Sequence, residues 1–188
     1  MSKLNILYYE SEVLIMKLYH GSNVTGITKF KFSGDEIGSA PLHDEGLYFY
    51  NDFEKAKKWA GRRRGTQTVY ETELNDFDGF AIIKEWNVEG IKKYIEYRDN
   101  PDGFNGAIIP CECDSKFDDT FFDAIIEGVV NSNDKEHTDE RINKLFEKCK
   151  DCDYNRSARE EKYEIIIRNK EIVNKLKITE HLIEEGGG

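Results

Sequence analysis

The sequence predicts an α+β fold built on a mostly antiparallel or mixed sheet. Three observations carry that expectation. Aromatic and β-branched runs that read as strands are interspersed with amphipathic stretches that read as helices, without the regular βαβ alternation of a doubly wound sheet. Neither G-x-G-x-x-G nor G-x-x-x-x-G-K-[ST] occurs, so the phosphate-cradling turns of such sheets are missing. The chain has 188 residues and 12% aromatics, enough for one domain with a real core, although its mean hydropathy is only -0.69. Eleven Phe and ten Tyr set it apart from disordered chains, which are poor in aromatics.

The elements follow in order. Leu4, Ile6 and Tyr8 recur at alternate positions near the start, so residues 1–16 read as a strand-like extension ahead of a domain over 17–180. Leu18-Tyr19 leads into His20-Gly21-Ser22-Asn23, a short strand ending in a turn. Residues 24–45 carry Gly26, Gly34, Gly38 and Pro41 and read as a long loop. Gly46–Tyr50 is aromatic and strand-like. Asn51 or Asp52 then caps a helix with Phe53, Ala56 and Trp59-Ala60 on its inward face, and Gly61 ends it. Arg62–Gly65 is a turn, and Thr68–Leu74 alternates as a strand.

Residues 87–98 suit a helix, with Ile91, Tyr94, Ile95 and Arg98 at helical spacing, and 99–106 is turn-rich. The apolar runs Ala107–Ile109 and Ala124–Val130 read as buried strands. Residues 133–150 read as a charged amphipathic helix with Ile142, Leu145, Phe146 and Cys149 inward, followed by a polar loop over 151–160. Tyr163–Ile167 is a strong strand and Lys170–Leu176 a short helix. Residues 181–188 form a tail ending in three glycines.

Charge excludes some function classes. Twenty-seven basic against 37 acidic side chains leave a net charge of -10, so the overall field does not attract nucleic acid. Arg62-Arg63-Arg64 is a local exception, read first as a solvated loop. No run approaches the ~18 apolar residues of a membrane span, so no membrane association is expected. The first residues lack a secretory signal's apolar core. With four cysteines, that predicts reduced thiols in a cytoplasm. Cys111-x-Cys113 and Cys149-x-x-Cys152 could supply four thiolates to a structural zinc. The one-residue spacing of the first pair and the lack of flanking knuckle glycines argue against it, so no metal is expected.

Three segments carry chemistry together: Leu18-Tyr19-His20-Gly21-Ser22, Asp44-Glu45-Gly46-Leu47-Tyr48-Phe49 with the helix after it, and Tyr163-Glu164 opening the last apolar strand. Their order and character resemble the ADP-ribosyltransferase superfamily, in its His–Tyr–Glu branch. Phe122–Val130 and Glu164–Ile167 extend the resemblance toward a little-characterised bacterial branch, and together the motifs cover residues 17–178.

The resemblance implies a split-sheet α+β core with flanking helices and NAD as substrate. It implies a mono-ADP-ribosyltransferase that releases nicotinamide and modifies a macromolecule, a protein first and nucleic acid second. By the same resemblance His20 contacts a ribose hydroxyl, Gly21 binds the carboxamide through its backbone, and Ser22 contacts a ribose. Tyr48 stacks on nicotinamide, and Glu164 faces the oxocarbenium-like transition state as its catalytic carboxylate. Lys162 stands where arginine-specific relatives carry a glutamate, which argues against arginine as acceptor. A toxin-like effector with a neutralising partner protein is the analogy such a small transferase suggests. The rivals are an NAD glycohydrolase, an RNA 2′-phosphotransferase, disfavoured by the acidic chain, and a non-catalytic module binding NAD, ADP-ribose or a partner protein.

Beside these stand plainer readings of the same residues. A His-Gly pair is usually a turn beside a structural histidine, and a glutamate opening a strand is often an edge charge. One of Tyr48 and Phe49 must face the core because strand residues alternate. Trp59 is expected in the core, and His43, His137 and His181 carry no assignment.

Overall fold

The computed structural model describes residues 15–30, 46–62, 66–111, 139–140, 143 and 156–183. Within them the chain forms β1 (Met16–Ser22), β2 (Leu47–Tyr50), α1 (Phe53–Ala60), β3 (Thr68–Leu74), β4 (Phe80–Ile82) and α2 (Val88–Asp99). A 3-10 turn (Pro101–Gly103) leads into β5 (Gly106–Pro110), followed by α3 (Arg156–Arg159), β6 (Tyr163–Ile167), α4 (Lys170–Lys175) and β7 (Thr179–Leu182). The seven strands make one mixed sheet in the order β4-β5-β6-β2-β1-β3-β7. Neighbouring strands are antiparallel except β4 and β5. The α+β class is as expected. No described helix is long and apolar enough to cross a membrane.

Two strands escape the sequence reading. β4 has three residues, too few to show a period of two, and with α2 and parallel β5 it makes a single βαβ unit in a chain without the regular βαβ alternation. β7 carries the exposed pattern of an edge strand and crosses the boundary expected at residue 180, pairing His181 with Val69 and Leu182 with Thr68. The strand expected over 124–130 lies outside the described residues. Of the helix expected over 133–150, residues 139–140 and 143 are described, and they are helical.

The alternation of side chains sorts the sheet into two faces, because directly opposed residues share a side and successive ones do not. The first face carries Leu18, Leu47, Phe49, Tyr70, Ile108, Ile165 and Ile167, packed with Phe30 and with Val173 of α4. The second carries Ala81, Ala107, Ile109 and Ile166, packed with Ile91, Tyr94 and Tyr97 of α2. β6 is buried on both faces, which explains its unbroken Ile165-Ile166-Ile167 run.

α1 covers the second face further along the sheet. Asp52 caps it by accepting from the Lys55 amide at 2.8 Å. Ala56 and Ala60, one turn apart, lie over Gly21 of β1, where a Cβ would collide with the Ala56 carbonyl and come within 2.9 Å of the Ala60 amide. Only small residues fit such an approach. Trp59, expected in the core, is 39% exposed and lies under the Arg62 guanidinium at 4.7 Å.

Candidate functional site

The three motif-bearing segments lie on adjacent strands at the centre of the sheet: Glu164 on β6, Tyr48 on β2, and His20-Gly21-Ser22 on β1. Their side chains do not all face the same way. On the second face, one ladder row runs Tyr19, Tyr50, Glu164, Ile109 across β1, β2, β6 and β5. Tyr48 lies on the same side, one pleat along, opposite Ile166. α1 covers β1 at Gly21, and α2 packs over β5 and Ile166. Among the described residues, partly buried Tyr48, Tyr50 and Glu164 therefore lie between the two helices.

Glu164 sits among groups that feel its charge. Burial pushes the Cys111 thiol up to about 12, with the Glu164 carboxylate adding to the shift. Burial also raises the Tyr94 hydroxyl, and Glu164 and Tyr48 contribute in the same direction. Of the neighbouring carboxylates, Glu160 is engaged elsewhere and Glu161 faces solvent. Glu160 pairs with Arg156 at 2.9 Å and with Lys162 at 3.0 Å, and these contacts hold its carboxyl below the usual range. Glu161 is exposed in a left-handed turn at φ 55. Of the three carboxylates, Glu164 is the one on the sheet. Lys162 also reaches Asp52 at the start of α1, at 3.8 Å.

His20 takes the other side. It pairs with Tyr70 on the first face, with its ring centroid 5.5 Å from Phe30 and 5.9 Å from Phe49. Its Nδ1 meets the Tyr48 carbonyl at 2.8 Å. A carbonyl only accepts, so Nδ1 carries the proton and donates. Burial lowers the imidazole below its ordinary value, with the Tyr48 hydrogen bond opposing, so the neutral form is favoured. His20 thus ties β1 to β2 from behind the row that holds Glu164. Ser22 also lies on the first face, its Oγ accepting from the Val24 amide at 3.1 Å in a local turn. The close approach expected of a ligand at Gly21 is made here by α1.

Sequence reasoning missed Tyr50 and Tyr19. The signal was present, since Tyr48 and Tyr50 stand two apart on one strand and must share a face. That Tyr50 lies directly opposite Glu164 could come only from the register.

Cys111 is buried, while Cys113, Cys149 and Cys152 lie outside the described residues. No cluster of three or more His, Cys, Asp or Glu suited to a metal occurs among the described residues.

Chemically, this part of the second face offers the phenol rings of Tyr19, Tyr48 and Tyr50, the Glu164 carboxylate and an apolar border of Ile109, Ile166 and Tyr94. Aromatic faces beside a carboxylate attract a flat cation. A carboxylate held there stabilises positive charge developing on a nearby carbon. No family model matches the chain, and no curated protein or solved structure is significantly similar to it.

Proposed function

We propose that the chain binds NAD between α1 and α2 and breaks the bond between nicotinamide and ribose, passing ADP-ribose to a macromolecule, a protein in the first place. One observation carries this reading. Segments far apart in sequence, each resembling a motif of the ADP-ribosyltransferases, fall on the adjacent strands β1, β2 and β6, with Tyr48 and Glu164 on one face. The nicotinamide ring of NAD is a flat cation, which suits tyrosine faces beside a carboxylate. Glu164 stabilises the oxocarbenium-like charge as the bond lengthens, and it can take the proton of an attacking hydroxyl. Tyr50 joins Tyr48 in lining the space. With water as acceptor, the same chemistry is an NAD glycohydrolase.

His20 takes a different role from the one the resemblance implies. From the first face its ring acts through the Tyr48 carbonyl, fixing the strand that carries Tyr48, so it is a positioning residue. That placement, with α1 seated on Gly21, favours a second reading: a non-catalytic module that binds NAD or ADP-ribose in the same space.

Nicotinamide release from NAD by the native chain, compared with Glu164→Gln, separates the two. Loss of a charge-stabilising carboxylate lowers release by about a hundredfold or more if the site is catalytic. Saturable NAD binding with no release by either protein supports the module instead.

A further inference from the structure

The β2–β6 ladder ends in the register at Tyr50 opposite Glu164, and Asn51 continues it by other means. The Asn51 amide donates to the Tyr163 carbonyl at 3.2 Å. Its side-chain Oδ1 accepts from the Tyr163 amide at 2.7 Å, and Nδ2 donates to the Glu161 carbonyl at 2.8 Å. The side chain replaces the carbonyl that a longer β2 would have offered. It must, because the chain turns away at Asp52 to cap α1.

On the partner side, the chain enters β6 from the left-handed turn at Glu161, a conformation uncommon for a residue with a Cβ. The Lys162 amide donates to Ser157 at 2.8 Å, and the Lys162 carbonyl accepts from the Cys111 amide at 3.0 Å. Asn51 grips the residues on either side of Lys162, immediately before Glu164.

We propose that Asn51 is a positioning residue for Glu164, setting where its carboxylate enters the second face beside Tyr50. This rests on the reading of Glu164 as the carboxylate that faces the reacting ribose. A displacement of the carboxylate by about 1 Å is enough to cost a hundredfold in rate.

The test uses the full chain, Asn51→Ala, Asn51→Asp and the control Asn87→Ala. Asn87 caps α2 by accepting from the Gly90 amide at 2.8 Å, so its loss removes a comparable side-chain bond at another helix start. Two readouts are taken: nicotinamide release from NAD, and the carboxyl titration of Glu164 by carbon NMR. Asn51→Ala is expected to lower kcat by about a hundredfold with KM for NAD little changed, and to move the Glu164 titration midpoint. Asn51→Asp keeps the acceptor for the Tyr163 amide and recovers part of kcat. Asn87→Ala changes stability and leaves both readouts in place.

Native kcat in folded Asn51→Ala, or a fall no greater than that of Asn87→Ala, overturns the proposal. Absence of release from the native chain instead overturns the catalytic reading of Glu164. The NMR arm then decides about Asn51, since a Glu164 midpoint unmoved in both Asn51 variants overturns its positioning role independently of activity. If Asn51→Ala does not fold, Asn51→Asp supplies the comparison.

Discussion

A partly buried imidazole whose neutral form is favoured couples folding to pH. His20 has its affinity for protons lowered by burial, so between its lowered value and the ordinary 6.5 the unfolded chain binds the proton more readily than the folded one. Stability contributed by neutral His20 is therefore present above 6.5 and falls as pH drops below it. Ordinary carboxylates titrate lower, near 4, so thermal unfolding between pH 7.5 and pH 5 isolates the histidines. We expect Tm to fall further over that interval in the native chain than in His20→Gln, whose amide can still donate to the Tyr48 carbonyl. Equal falls in the two proteins would exclude a lowered proton affinity at His20.

The decisive contact between elements is the seat of α1 on β1. Ala56 and Ala60 let the helix backbone come down onto Gly21, and the helix then shields that part of the second face. Adding one methyl group at Gly21 has no room to relax, because the obstacle is backbone on both sides. Gly21→Ala is expected to destabilise by about 1–3 kcal/mol or more, the cost of overpacking a filled core. Gly61 is the contrasting position. It has a right-handed φ of -71, and a Cβ there meets only the Gln67 side chain at 3.5 Å, an ordinary contact. Gly61→Ala should be neutral or raise stability by about 0.4–1 kcal/mol through the unfolded chain. Urea unfolding of both variants measures the difference, and equal midpoints would contradict the close seating of α1.

At the scale of the molecule, one sheet joins two cores. β6 belongs to both, with Ile165 and Ile167 in the first and Ile166 in the second. A unit sharing its central strand between two cores should unfold as a whole. The chain has two tryptophans, one on each of the helices' territories: Trp59 on α1, and Trp86 packed edge-on to Tyr94 of α2 at 5.7 Å. Trp59→Phe and Trp86→Phe each leave a single reporter. Within each variant, the urea midpoint by fluorescence should coincide with that by circular dichroism. Separated midpoints would mean that the α2 side unfolds independently of the α1 side.

Local pattern was enough for the mixed class, the alternating strand β3, the apolar strand β6 and the helices α1, α2 and α4, because caps and periodicity act within a few residues. It also placed Glu164 at the mouth of β6 and Tyr48 on β2, but passed over Tyr50 two residues further on. It could not supply β4 or β7, whose pairing partners rather than their own residues make them strands. Nor could it say which face each motif residue takes. His20 and Gly21 are neighbours in sequence and point to opposite sides, while Tyr50 and Glu164 are far apart and directly opposed. Trp59 was misplaced for the same reason: helical spacing allows several inward faces, and the one chosen is the one whose alanines can approach Gly21. Spacing along the chain fixes what each element is. Register and packing between elements, which the tertiary structure alone decides, fix which side chains meet.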